Sequence, residues 1–142
     1  MRHDVGHLID IAPTLMELAG GKWPEKWEGE AVPRNPGMSL VPAFAKDGSV
    51  ERDYLWWYHE KNRAIRVGDW KLVSKGKDGP WELYDLKTDR CESVNLADKN
   101  PEKVKELSEK WAKCTEEFTK LALADGKAMQ PKGKGKKKAE ND

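Results

Sequence analysis

Three short runs of sequence decide the fold: Tyr-Leu-Trp-Trp-Tyr-His at 54–59, Ala-Ile-Arg-Val-Gly-Asp-Trp-Lys-Leu-Val-Ser at 64–74 and Trp-Glu-Leu-Tyr-Asp-Leu at 81–86. The first run is aromatic and too short for a helix, which favours a central strand. Gly68 and Asp69 form a two-residue hairpin turn within the second run, and residues 75–80 form another turn before the third, which alternates as a strand. Four consecutive strands with such short connections pair only as antiparallel neighbours.

A long helix is expected after the sheet. Asn100, Pro101 and Glu102 supply the cap, the first-turn proline and the acidic residue of a helix start. Apolar residues then recur at intervals of 3, 4, 3, 4 and 3, at Val104, Leu107, Trp111, Cys114, Phe118 and Leu121. These residues form an apolar seam along one side of the helix. A seam of this regularity packs against another layer, and the sheet is the available partner. The sequence therefore predicts an α+β domain over residues 51–125, with a four-stranded antiparallel sheet packed on a long C-terminal helix.

The region before the sheet is predicted to hold one short helix and a long loop. Asp10 caps a helix over residues 10–20, which has a proline in its first turn and Gly20 and Gly21 at its end. Residues 22–48 contain Trp, Pro, Gly and charged residues without a period, and residues 38–44 have the composition of one helical turn.

The composition excludes several classes of protein. The 142 residues are 37% apolar and 36% charged, and the absence of a long uncharged apolar run argues against a membrane span. The net charge of +1 argues against a nucleic-acid partner. The tail, residues 126–142, mixes six lysines with Gly, Pro and Ala, which predicts a disordered, solvated basic segment.

Cys91 and Cys114 have neither CxxC spacing nor a neighbouring His, so the sequence offers no zinc site. The two residues either pair in an oxidising compartment or remain small buried hydrophobes.

Common catalytic motifs are missing from the sequence: it has no glycine-rich phosphate loop, no HExxH and no GxSxG. The one dense polar cluster is residues 59–63, His-Glu-Lys-Asn-Arg, which follows Trp56 and Trp57. Such a loop presents an imidazole, an amide and two cations to an anionic or sugar-like ligand, beside aromatic stacking faces. A solvated hairpin turn is the alternative interpretation.

Two other groups of residues invite a functional interpretation. His7 precedes the Asp10 cap, where a structural hydrogen-bonding role is favoured over a site role. Seven Trp residues suggest carbohydrate binding, but Trp70, Trp81 and Trp111 fall at strand or seam positions, which favours core packing for those three.

Four blocks of the chain occur in the order and spacing of a known family. They are His-Leu-Ile-Asp-Ile-Ala-Pro-Thr-Leu-Met-Glu-Leu-Ala-Gly at 7–20, Gly-Met-Ser-Leu at 37–40, Arg-Ala-Ile-Arg-Val-Gly-Asp-Trp-Lys-Leu-Val at 63–73 and Trp-Glu-Leu-Tyr-Asp-Leu at 81–86. Together they resemble the C-terminal part of the type I sulfatases, the arylsulfatase family of the alkaline-phosphatase-like superfamily. The resemblance implies that residues 1–50 end the large α/β domain and that residues 51–125 form the C-terminal subdomain.

The resemblance also implies a sulfuric ester hydrolase whose reactive groups lie outside this sequence. Family members use a formylglycine, made from the Cys or Ser of a Cys/Ser-x-Pro-x-Arg motif, beside a calcium ion. Neither Cys91 nor Cys114 is followed by that Pro and Arg. We therefore expect no catalytic residue and no metal ligand in this chain, and calcium and formylglycine only in a complete enzyme with its N-terminal sulfatase domain.

The resemblance makes His59, Asn62 and Arg63 the candidate substrate-binding residues, because the family's C-terminal subdomain rims the pocket and helps select the alcohol part of a sulfate ester such as a sulfated sugar. The planar fork of Arg63 suits a carboxylate or sulfate, whereas Lys61 is a looser point charge. Two alternatives stay open: a stand-alone module that binds sulfated polysaccharide, and a truncated gene product without function.

Overall fold

The computed structural model describes residues 2–33 and 35–128, with side chains as far as residue 124. The helices and strands are α1 (Ile11–Leu18), β1 (Lys26–Trp27), β2 (Glu30–Ala31), α2 (Val41–Ala45), β3 (Leu55–His59), β4 (Asn62–Val67), β5 (Trp70–Ser74), β6 (Glu82–Asp85) and α3 (Pro101–Ala128). The described residues divide into two compact units, one formed by those up to Leu55 with Arg66–Trp70 and the other by Trp56–Ile65 with those from Lys71 to Ala128. None of the helices within the described ranges is long and apolar enough to span a membrane.

The four-stranded antiparallel sheet predicted from the sequence is present, in the order β3-β4-β5-β6. Gly68 has a φ of +58°, as a hairpin turn with Gly at its first central position requires. The expectation that residues 54–59 form a central strand is wrong, because β3 lies at the edge of this sheet. On one face of this strand, the rings of Trp56 and Tyr58 lie beside the Trp111 ring of α3.

The long helix begins at Pro101, as the sequence predicts. Leu107 and Cys114 are buried in its seam, Trp111 and Phe118 are half-buried, and Leu121, expected in the seam, is 56% exposed. The helix includes residues 126–128, which the sequence assigns to the disordered tail. The rest of that predicted tail, residues 129–142, lies outside the described residues.

Helix α3 packs on the edge strand through aromatic rings. The Trp56 ring lies 4.9 Å from that of Phe118 and 6.4 Å from that of Trp111, centroid to centroid. Trp56 Nε1 donates to Thr115 Oγ1 at 3.1 Å, and Trp111 Nε1 donates to the Trp57 carbonyl at 3.2 Å. Both indole N–H groups therefore have acceptors, which lets these large side chains leave water without an unsatisfied donor.

Asp10 joins two of the sequence blocks that resemble the sulfatases. It precedes α1, but its side chain makes no capping hydrogen bond to that helix, contrary to the sequence expectation. The buried carboxylate instead accepts from the amides of His7 at 2.7 Å and Met38 at 2.9 Å, and it pairs with Arg52.

Thr14 and Gly37 complete this junction. The Thr14 hydroxyl donates to the Asp10 carbonyl at 2.6 Å and accepts from the Leu40 amide at 2.9 Å. A Cβ on Gly37 would lie 2.0 Å from the Ile9 carbonyl oxygen, so no larger residue fits without movement of the backbone. Blocks 7–20 and 37–40 are thus one structural element in two pieces.

The predicted long loop over residues 22–48 contains two small elements. Helix α2 covers Val41–Ala45, close to the helical turn expected at 38–44. The antiparallel hairpin of β1 and β2 was not expected, and its turn consists of Glu28 and Gly29, whose φ angles are 50° and 89°.

Candidate functional site

The polar segment 59–63 is a tight turn between two strands. His59 ends β3 and Asn62 begins β4, so only Glu60 and Lys61 lie in the connection that the sequence suggested was a five-residue loop. Their φ angles of 47° and 70° place both in the left-handed region, which residues with a Cβ rarely adopt. The turn therefore stores backbone strain at the position where the sequence places the candidate site.

The alternation of side chains divides the three predicted site residues between the two faces of the sheet. Trp56 contacts α3, and successive side chains along a strand point to opposite faces. Trp57 and His59 therefore lie on the face opposite α3. Arg63 lies on the α3 face, since its guanidinium carbon is 5.7 Å from the centre of the Trp111 ring, and Asn62 is on the other face.

Arg63 is held by contacts within the second unit. Its Nη2 donates to Ser74 Oγ at 2.7 Å and to the Gly79 carbonyl at 3.1 Å, and its guanidinium lies 4.4 Å from the centre of the Trp81 ring. Its Nε is buried without a hydrogen-bond partner among the described residues. Cation–π stacking and two hydrogen bonds thus tie β4 to β5 and to the following turn. That Arg63 binds an anionic substituent stays a prediction. Such a substituent would have to compete for the guanidinium with Ser74, Gly79 and Trp81.

Asn62 and His59 differ in how far the fold already uses them. Asn62 Oδ1 accepts from the Gly76 amide at 2.9 Å, which holds the turn after β5 against the start of β4. His59 is exposed, and its ring has no hydrogen-bond partner among the described residues. Of the three predicted residues, His59 is therefore the most available to a ligand.

His7 has the structural role that the sequence favours. It caps the 3-10 turn Leu8–Asp10, where its Nδ1 accepts from the Ile9 amide at 3.3 Å and its own amide donates to Asp10.

The residues that the structure describes do not fit a metal ion. Over the ranges that the structure describes, no three His, Cys, Asp or Glu side chains converge into a possible ligand set. Cys91 is exposed and Cys114 is buried, and the two are not paired with each other.

Comparison with known proteins decides the family. Residues 2–120 match the family described as N-sulphoglucosamine sulphohydrolase, C-terminal. The chain belongs to this sulfatase family. An uncharacterized sulfatase of Schizosaccharomyces pombe is 36% identical over 110 residues, which are 73% of this chain and 20% of the relative.

Two solved structures resemble the sulfatase C-terminal fold of this chain. A protein crystallised as Ps i-CgsB with a neocarrahexaose has a TM-score of 0.53 and 26% identity, over 73% of this chain and 23% of that one. A second, in complex with its substrate D-glucosamine-2-N,6-O-disulfate, also has a TM-score of 0.53 and 26% identity, over 78% of this chain and 24% of that one. This sulfatase chain spans about a fifth to a quarter of the length of these relatives.

Proposed function

We propose that this chain is the C-terminal portion of a sulfuric ester hydrolase that acts on a sulfated saccharide, and that the reactive groups come from an upstream sulfatase domain. The observation that carries the proposal is the family match over residues 2–120, in a chain that matches about a fifth of the length of a sulfatase relative. The neocarrahexaose and glucosamine disulfate bound by the two structural relatives support a saccharide as the substrate class. Neither cysteine has the sequence context of a formylglycine, so the isolated chain is proposed to be inactive.

The upstream domain is the proposed occupant of the apolar surface of the first unit. Four aliphatic side chains before and within α1 are between 50% and 78% exposed, at Leu8, Ile11, Leu15 and Leu18. Apolar side chains grouped in this way on a helix are normally buried against another layer. An α/β domain that precedes this sequence in a complete sulfatase would supply that layer.

The proposed contribution to catalysis is recognition of the substrate by the rim of the pocket. His59 is exposed, stands at the end of an edge strand, and is followed by a two-residue turn in a strained conformation. Asn62 bonds to the Gly76 amide, and Arg63 bonds to the Ser74 hydroxyl and the Gly79 carbonyl. We assign His59 to contact with the saccharide, and Asn62 and Arg63 to positioning of the turn that presents it.

A comparison of two substrates tests this assignment in the complete enzyme. His59→Ala should lower kcat/KM for the sulfated saccharide by about 5- to 150-fold, equivalent to about 1–3 kcal/mol of lost hydrogen bonding, and leave a small aryl sulfate unchanged. Arg63→Ala should lower both the saccharide activity and the melting temperature, because it removes contacts within the fold. Glu117→Ala, at an exposed position on α3, is the control and should change neither. Equal losses for both substrates with His59→Ala would contradict the recognition role.

A further inference from the structure

Trp27 is the most exposed tryptophan among the described residues. Its side chain is 69% exposed, whereas Trp56, Trp57, Trp70, Trp81 and Trp111 are half-buried. The fold of the first unit therefore gains little from the Trp27 ring. Its ring offers a large apolar face with an N–H donor at the edge, which suits contact with an amphipathic ligand.

The hairpin that carries Trp27 is fixed by several hydrogen bonds. β1 and β2 pair in antiparallel register, and the Val32 amide extends the pairing by donating to the Glu25 carbonyl at 3.0 Å. At the base, Trp23 Nε1 donates to the Pro33 carbonyl at 3.2 Å. The exposed ring therefore stands on a backbone held at both ends, which lowers the entropy lost when a ligand binds.

The register places a carboxylate beside the ring. Trp27 pairs with Glu30, and Lys26 pairs with Ala31. Directly opposite residues in an antiparallel pair project to the same face with Cβ atoms about 5 Å apart, so Glu30 stands beside the indole while Lys26 lies on the other face. An aromatic face next to a hydrogen-bond acceptor matches a pyranose ring, which offers a C–H face for stacking and hydroxyl groups as donors.

We propose that Trp27 and Glu30 form a subsite for an unsulfated pyranose ring of the saccharide substrate. The proposal rests on the proposed function, because it takes the substrate class from there. Three glutamates on the hairpin, Glu25, Glu28 and Glu30, outnumber the single Lys26, so a ring that carries a sulfate group would be repelled. The subsite would thus hold a part of the saccharide other than the sulfate ester that is hydrolysed.

The full chain is suited to a direct binding test by NMR. The Trp27 indole N–H signal is identified by its loss in Trp27→Phe, and the chain is titrated with chitohexaose and with a κ-carrageenan hexasaccharide, both before and after chemical desulfation of the latter. We expect at least one of the two neutral hexasaccharides to shift the Trp27 signal in the millimolar range, and Trp27→Ala to weaken that binding at least tenfold. The sulfated hexasaccharide should bind more weakly than its desulfated form.

Two neighbouring glutamates provide a matched control. Glu30→Gln and Glu28→Gln change the charge equally, but only Glu30 pairs with Trp27. Weakening several-fold by Glu30→Gln alone supports the subsite. Equal effects of both substitutions, tighter binding of the sulfated form, or no shift with either neutral hexasaccharide would overturn it. If the complete enzyme hydrolyses a sulfated saccharide but the Trp27 signal does not shift, this inference fails and the proposed function stands. If the complete enzyme shows no sulfatase activity, the proposed function fails, whatever Trp27 binds.

Discussion

Replacement of Asp10 by Ala tests the junction between residues 7–20 and residues 37–40. The wild-type carboxylate accepts from the amides of His7 and Met38 and pairs with Arg52, all within the first unit. Its removal leaves the His7 and Met38 amides and Nη2 of Arg52 without this acceptor, while Arg52 Nε keeps its hydrogen bond to the Val5 carbonyl. Loss of one partner from a buried ion pair costs about 3–5 kcal/mol, a large share of the roughly 5–15 kcal/mol that stabilises a typical domain.

The expected result is a fall of about 3–5 kcal/mol in the free energy of unfolding, measured by urea denaturation and circular dichroism. Amide hydrogen exchange gives a local measure, because the Met38 amide bonds to Asp10 while the Leu40 amide bonds to Thr14. Protection should therefore fall more at Met38 than at Leu40. Asp98→Ala, which removes an exposed carboxylate, is the matched control. Unchanged stability and unchanged Met38 protection in Asp10→Ala would refute the reasoning.

The same carboxylate should make stability depend on pH. Burial raises the pKa of Asp10, but hydrogen bonds from Met38, Arg52 and His7 outweigh burial and hold the pKa below its ordinary value of 3.8. Because the folded pKa lies below the unfolded one, the stabilisation is present above about pH 4 and is lost as the pH falls through the folded pKa. The wild-type chain should therefore lose more stability than Asp10→Asn on acidification, and equal losses would show that Asp10 does not carry the effect.

Two further predictions concern the second unit and the turn. Trp111→Ala should lower the free energy of unfolding by about 3–5 kcal/mol, because it opens a cavity beside Trp56 and removes the donor to the Trp57 carbonyl. An unchanged melting midpoint would show that α3 does not pack on the sheet. Lys61→Gly should raise the free energy of unfolding by about 1 kcal/mol, because a φ of 70° costs a residue with a Cβ about that amount. Lys77→Gly, at a position without positive φ, is the control. A gain in both variants would attribute the effect to chain flexibility.

The elements that the sequence predicts well are those with a local signal. Strand Trp70–Ser74 follows Gly68 and Asp69, and the helix start at Pro101 follows Asn100, so nearby residues determine both boundaries. The β1–β2 hairpin was missed, although Gly29 is suited to its turn, because strands of two residues are too short for a periodic pattern.

The surroundings of the candidate site depend on contacts between distant parts of the chain. The edge position of β3 depends on which strands pair, and the partners of Arg63 lie 11 to 18 residues away, at Ser74, Gly79 and Trp81. Strand alternation alone would have separated Arg63 from Asn62, had β4 been predicted to begin at Asn62. The sequence therefore indicated the polar cluster correctly, but not which of its residues the fold uses.

The most direct test of the sulfatase assignment measures sulfate release from an aryl sulfate and from a sulfated saccharide by three preparations. These are this chain alone, an upstream sulfatase domain alone, and a complete enzyme in which that domain precedes this sequence. The account predicts no turnover by this chain alone and saccharide hydrolysis only by the complete enzyme. Turnover by the purified chain alone, or equal saccharide activity of the upstream domain without this sequence, would contradict it.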